Sequence, residues 1–198
     1  MVKEPRAGRV KTRLAREIGV VAATQFYRHA AAAVIGRLSR APGFETWLSV
    51  APDTAVRGRA WDRHAPRRKQ GGGDLGQRMQ RIVDWPGRGP IIIVGTDIPA
   101  IEPAHIRDAF RRLAGSDAVF GPTPDGGYWL VGLRRSPRIL KPFADVRWSS
   151  EHALADTARN LAGFDIARAA LLADVDDAAE WQAVRAWSGR RVLPLAPR

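Results

Sequence analysis

Apolar positions fall in two rhythms along this chain. From Val10 to Ser39 they recur at helical spacing, with Phe26, Ala30, Ala33, Val34 and Leu38 on one stripe and a break expected near Gly19. Ala41-Pro42-Gly43 stops that helix. Thr46–Val50 reads as a short strand, and residues 51–70 are polar without a clear period. Gly71-Gly72-Gly73 makes a turn, Asp74 stands as an N-cap, and a helix is expected from Leu75 to about Asp84. Ile91–Val94 is apolar on both faces, the pattern of a central parallel strand. Pro103 opens a helix through Leu113, since proline suits the first helical position. Asp117–Gly121 and Tyr128–Leu133 are further strands, and Trp148-Ser149-Ser150-Glu151 starts a serine-capped helix. Phe164–Ala167 is a late strand, and Asp174-Val175-Asp176-Asp177 leads into a last helix, Ala178–Trp187. Alternating strands and helices predict an α/β sandwich with a mostly parallel sheet, as one domain over residues 1–198.

Composition narrows the classes. The 198 residues hold no cysteine, which removes disulfides, thiol catalysis and zinc–thiolate sites and makes a cytoplasmic setting the expectation. No apolar run approaches the roughly 20 residues that span a bilayer. The net charge of +12 invites a nucleic-acid reading. Only four of the 32 basic residues are lysine, however, and the arginines are dispersed in pairs and short runs. Abundant arginine, alanine and glycine together are what a GC-rich genome produces. Nucleic acid is therefore not the expected partner.

The candidate chemistry lies in a few turns. Asp97 follows the strongest strand by three residues, at the edge where open parallel sheets gather ligands. Gly95 permits close backbone approach there, and Pro99 stiffens the turn. One carboxylate with waters and phosphate oxygens is the usual way Mg²⁺ is held. Asp97 is thus the candidate metal ligand; a capping role fails because the next helix starts only at Pro103. In the opening loop Lys3, Lys11 and Arg13 bracket a turn from Pro5 to Gly8 that feeds a helix at Thr12, a setting that attracts a diphosphate. Asp74 is a cap or a ligand, and Arg78 one turn on reaches towards phosphate or base. Asp125, in Asp125-Gly126-Gly127-Tyr128, is a substrate-binding carboxylate or the corner of a hairpin. Asp174 and Asp176 alternate, so both can face one way; Asp176 is the candidate second metal ligand, with helix capping as the alternative. The four histidines show no zinc spacing, and no nucleophile elbow is present.

Several blocks in order carry a family likeness. They are Lys3-x-Pro5-x-x-Gly8-x-Val10-Lys11-Thr12-Arg13-Leu14, Gly73-Asp74-Leu75-Gly76-x-Arg78-Met79, Gly95-Thr96-Asp97-x-Pro99, Asp125-Gly126-Gly127-Tyr128, Trp148-Ser149 and Asp174-Val175-Asp176. With them the chain resembles a bacterial family of nucleotide-diphospho-sugar transferase-like proteins, associated with radical-SAM and selenodomain proteins. It is also similar to phospholactate guanylyltransferases and molybdenum-cofactor nucleotidyltransferases. The resemblance implies a GT-A-like, Rossmann-related three-layer sandwich with Mg²⁺ or Mn²⁺ as cofactor. It implies a glycosyltransferase taking a nucleotide-sugar donor and a small-molecule acceptor, with nucleotidyl transfer or a non-catalytic nucleotide-binding module as alternatives. Asp97, Asp125 and Lys11 would be its catalytic residues. In such a fold a strand precedes the Lys3-Glu4-Pro5 loop, yet only Met1 and Val2 do here. A truncated first strand, begun at an internal methionine, is therefore expected. The chain departs from its relatives again at Asp177-Ala178, where Thr-Pro is usual.

Overall fold

A computed structural model of the chain describes residues 1–61, 65–87, 89–175 and 177–182. The opening loop leads from β1 (Val2–Lys3) into α1 (Thr12–Ile18), and Gly19 separates it from α2 (Val20–Ser39). Then come β2 (Leu48–Ala51), a 3-10 turn, β3 (Arg67–Lys69), α3 (Leu75–Val83) and β4 (Ile91–Val94). The chain continues through α4 (Pro103–Leu113), β5 (Ala118–Pro122), β6 (Tyr128–Leu133), α5 (Ala153–Arg159) and β7 (Ile166–Arg168). No helix among the described residues is long and apolar enough to cross a membrane.

The strands form two sheets that meet at Met1. One is parallel throughout, in the order β1-β2-β3; the other runs β4-β6-β5-β7. In the second, β6 is antiparallel to both β4 and β5, while β5 and β7 are parallel. The Met1 amino group donates to the Val94 carbonyl at 2.6 Å and links β1 to β4. β1 has two residues, at the edge of its sheet. A groove of about 170 Å³ lies beside it, lined by Met1 with Leu38 and Phe110 from one side and Ile82 from the other.

Helices cover both faces, which makes three layers. Val34 and Leu38 of α2 pack with Ile106, Ala109 and Leu113 of α4 against Val119 and Leu130. Met79, Ile82 and Val83 of α3 pack against Ile93, Phe120, Val131 and Leu133 on the other face. Neighbouring residues Val119 and Phe120 thus serve opposite cores, as the two-residue period of a strand requires.

Four expectations need correction. The Ile91–Val94 strand pairs antiparallel with β6, because apolar faces report burial and not direction. On α2 Ala33 is exposed, while Tyr27, Ala31 and Ile35 form a second buried row. The helix serves two cores, so its buried arc is wider than one stripe. The helix expected at Ser149 begins at Ala153, with His152 in the cap position and Ser149 in the left-handed region. Finally, β3 lies inside the segment that showed no period.

Candidate active site

One edge of the sheets gathers the site. The carboxyl ends of β1, β2 and β4 reach it, and so does the amino end of β6, because β6 runs backwards. A cleft of about 560 Å³ opens there, and a second lobe of about 470 Å³ adjoins it. Lys11, Thr12, Asp97, Asp125, Ser149 and Ser150 border both. Ligands of open α/β sheets collect at this edge.

Lys11 lies at the centre. It is the N-cap of α1, at φ 44 and ψ 51, a left-handed conformation uncommon for a residue with a side chain. Its side chain is only 5% exposed. The ammonium is 3.1 Å from Asp97 Oδ2 and 3.4 Å from Asp174 Oδ2. One cation thus ties the opening loop, the end of β4 and the segment after β7. Among the described residues no cluster of three or more histidine, aspartate or glutamate side chains is arranged for a metal. Asp97 and Asp174 are a pair, which matches the one or two carboxylates Mg²⁺ usually takes. Asp176 lies outside the described residues.

The other expected residues divide. Lys3, Thr12 and Arg78 line the larger lobe, and Thr12 and Arg13 the smaller one. Arg78 also donates to Gln70 Oε1 at 3.2 Å. Asp74 lines neither: its carboxylate accepts from Gln77 N at 2.8 Å in a capping box, so it holds the start of α3. Gly8 lines neither as well; at φ 72 it turns the loop that delivers Lys11. Asp125 does two jobs. Its Oδ1 accepts from Thr123 Oγ1 at 2.5 Å and Gly127 N at 3.0 Å, closing the turn, while the residue borders both lobes.

Tyr27 and Gln70 line the cleft without having been singled out from the sequence, and Ser149 and Ser150, expected only at a helix start, line it too. Tyr27 falls on the apolar spacing of α2, and Ser149 imitates a helix cap. Burial raises the Tyr27 phenol and pushes Tyr128 well above the usual tyrosine range. Both are neutral near pH 7 and unsuited to act as bases there. Leu75, Met79, Tyr128 and Trp148 give the larger lobe an apolar wall, whereas the smaller lobe is lined by polar side chains alone. A cation between carboxylates, a basic loop and an apolar wall are together what a nucleotide diphosphate requires.

A model of bacterial proteins described as uncharacterized and conserved in bacteria, DUF2064, matches residues 31–150. The chain belongs to that family. The matched DUF2064 stretch carries Asp74, Arg78, Asp97, Asp125 and Ser149, while the Lys3–Arg13 loop and Asp174 lie outside it. A solved structure from Desulfovibrio desulfuricans G20, described as a putative nucleotide-diphospho-sugar transferase, is similar over 92% of this chain and 83% of its own. The TM-score is 0.80 and the identity 28%. No curated protein matches. The α/β fold is therefore that of the nucleotide-diphospho-sugar transferases, and this DUF2064 member has a transferase of that fold as its structural neighbour.

The wall beside Asp125 depends on a glycine. A Cβ on Gly126, which has φ 81, would lie 2.1 Å from the Glu151 carbonyl oxygen. Gly126→Ala should lower stability by roughly 1–3 kcal/mol from backbone strain alone, and more if the loop cannot move. An unchanged urea midpoint would show that the two segments do not dock as described.

Proposed function

We propose that this protein is a divalent-metal-dependent glycosyltransferase of the cytoplasm. It takes a nucleoside-diphosphate sugar as donor and a hydroxyl of a small molecule as acceptor. The supporting observation is the Lys11 ammonium held between Asp97 and Asp174, beside a lobe large enough for a nucleotide. The structural neighbour assigned as a nucleotide-diphospho-sugar transferase supports the same donor class.

The residues fit a metal. Two carboxylates already accommodate a compact cation between them, and Mg²⁺ favours carboxylate with phosphate and water oxygens. Asp97 and Asp174 would hold it, and when bound it would supply Lewis acidity to the leaving diphosphate. Lys11, with Lys3 and Arg13 nearby, stabilises the negative charge that grows on that diphosphate. Fixed charge aimed at the transition state is usually the largest catalytic contribution. Asp125 accepts the proton of the acceptor hydroxyl, and the apolar wall with Gln70 and Arg78 receives the base.

Two measurements test this. Thermal unfolding with UDP-, GDP- and ADP-sugars and the matching triphosphates, with and without Mg²⁺, should show a metal-dependent rise with a nucleotide sugar. Ligand at 100 times its Kd adds about 2.7 kcal/mol, or roughly 5–11 °C for a chain of this size. A response to triphosphates alone would replace glycosyl with nucleotidyl transfer. Asp97→Asn should keep the fold and lose about 10²–10³ in kcat, as for other displaced charge-stabilising groups; near-normal turnover would refute the role of Asp97.

A further inference from the structure

The polar lobe has a wall that it shares only in part with the larger lobe. Asp125 stands on the turn between β5 and β6, and Ser149, Ser150 and Glu151 on the loop before α5; all four line this lobe. Turn and loop are fastened together. Leu154 N donates to the Gly126 carbonyl at 3.1 Å, and the Glu151 carbonyl occupies the space beside Gly126. The far end of the loop is fixed at Arg147. Its backbone N–H, Nε and Nη2 all donate to Asp156, which is 2% exposed. Between these anchors Ser149 is held at φ 60. Serine rarely adopts that conformation, and such residues cluster at ligand sites.

The chemistry of the wall is one-sided. It offers two carboxylates and two hydroxyls, with neither cation nor apolar group. The lobe's cations, Lys11 and Arg13, belong to the opening loop and α1, and Lys11 already faces Asp97 and Asp174. An ionised carboxylate only accepts hydrogen bonds, so it selects hydroxyl donors. A phosphate or carboxylate entering here would meet like charge.

We propose that this wall binds the acceptor, and that the acceptor is an uncharged polyhydroxyl molecule and not a phosphorylated or carboxylated one. The inference rests on the transferase reading and names its second substrate class. In the step, an acceptor oxygen forms a bond to the anomeric carbon of the donor sugar. The bond from that carbon to the diphosphate breaks, and the diphosphate leaves with the electron pair. The hydroxyl proton passes to Asp125 Oδ2, which carries no hydrogen bond among the described residues, while Oδ1 stays in the turn.

Size-matched probes decide it. Saturation-transfer NMR on the full chain would compare glycerol with glycerol 3-phosphate, and methyl glucoside with glucose 6-phosphate. Each pair is run with and without UDP, GDP or ADP and Mg²⁺. The neutral member should bind about fivefold tighter, the size of an exposed charge interaction. Glu151→Lys should reduce or invert that preference, which a merely structural residue would not do. Tighter binding of the phosphorylated member to the wild type, equal binding of both, or binding of neither would overturn the proposal. Absence of nucleotide binding would instead sink the donor reading, because the probes report on the wall without nucleotide as well.

Discussion

The buried ammonium of Lys11 is the constraint on which the site depends. Removing a charge from water costs several kcal/mol, and only close partners offset it. Asp97 and Asp174 are those partners, one from the middle of the chain and one from near its end. Lys11 reaches them because its own backbone is held left-handed at the start of α1. A helix opening in the ordinary extended manner would aim this side chain elsewhere. Three segments far apart in the sequence are thus drawn to one point. On the transferase reading proposed above, the charges that order this point are also the ones that would receive the diphosphate and its metal.

Strand direction explains why so many turns converge there. In a wholly parallel sheet only carboxyl ends face the ligand edge. Reversing β6 sends its amino end there too, and with it the Asp125 turn. The reversal also brings Gly126 under the loop before α5, where nothing larger than hydrogen fits. The larger lobe is thus built mainly on the carboxyl ends of β1, β2 and β4, and the Asp125 turn of the smaller one on the reversed strand. Asp97, Asp125 and Ser149 border both lobes, so the transfer proposed above would take place at their seam.

Much of this was legible in the residues, for identifiable reasons. The helix from Pro103 to Leu113 carries its start signal and its period, and it forms over those residues. Asp97 was found because a strong apolar strand announces its own carboxyl end. Asp74 left cap and ligand open, since one aspartate suits either, and only the Gln77 partner separates them. The Arg67–Lys69 strand was illegible because it lies at the edge of its sheet, where charged side chains face water and blunt further pairing. The direction of β6 leaves no mark on hydrophobic spacing. The meeting of Lys11 with Asp174 spans 163 residues, beyond the reach of any local pattern. Ser149 was misplaced because a serine before a helix looks the same whether it caps the helix or is twisted out towards a cleft.

The large positive charge takes on a different meaning in the fold. Many arginines bind the protein's own carbonyls. Arg67 donates to Val56, Gly58 and Trp61, and so holds down the polar segment after β2. Arg81 donates to Gln70 and Gly72, which fixes the glycine turn before α3. Arg135 reaches Gly89, Val83 and Trp85, satisfying carbonyls at the end of α3 that no helical partner can meet. Arg68 is held between the rings of Trp47 and Trp85, at 4.8 and 5.0 Å. A guanidinium can bridge two or three carbonyls at once, which an ammonium does less well. Whatever raised the arginine content, these loops and helix ends make use of it. At the sheet edge the cations that line the cleft are Lys3, Arg9, Lys11, Arg13 and Arg78, and all but Arg78 come from the first thirteen residues.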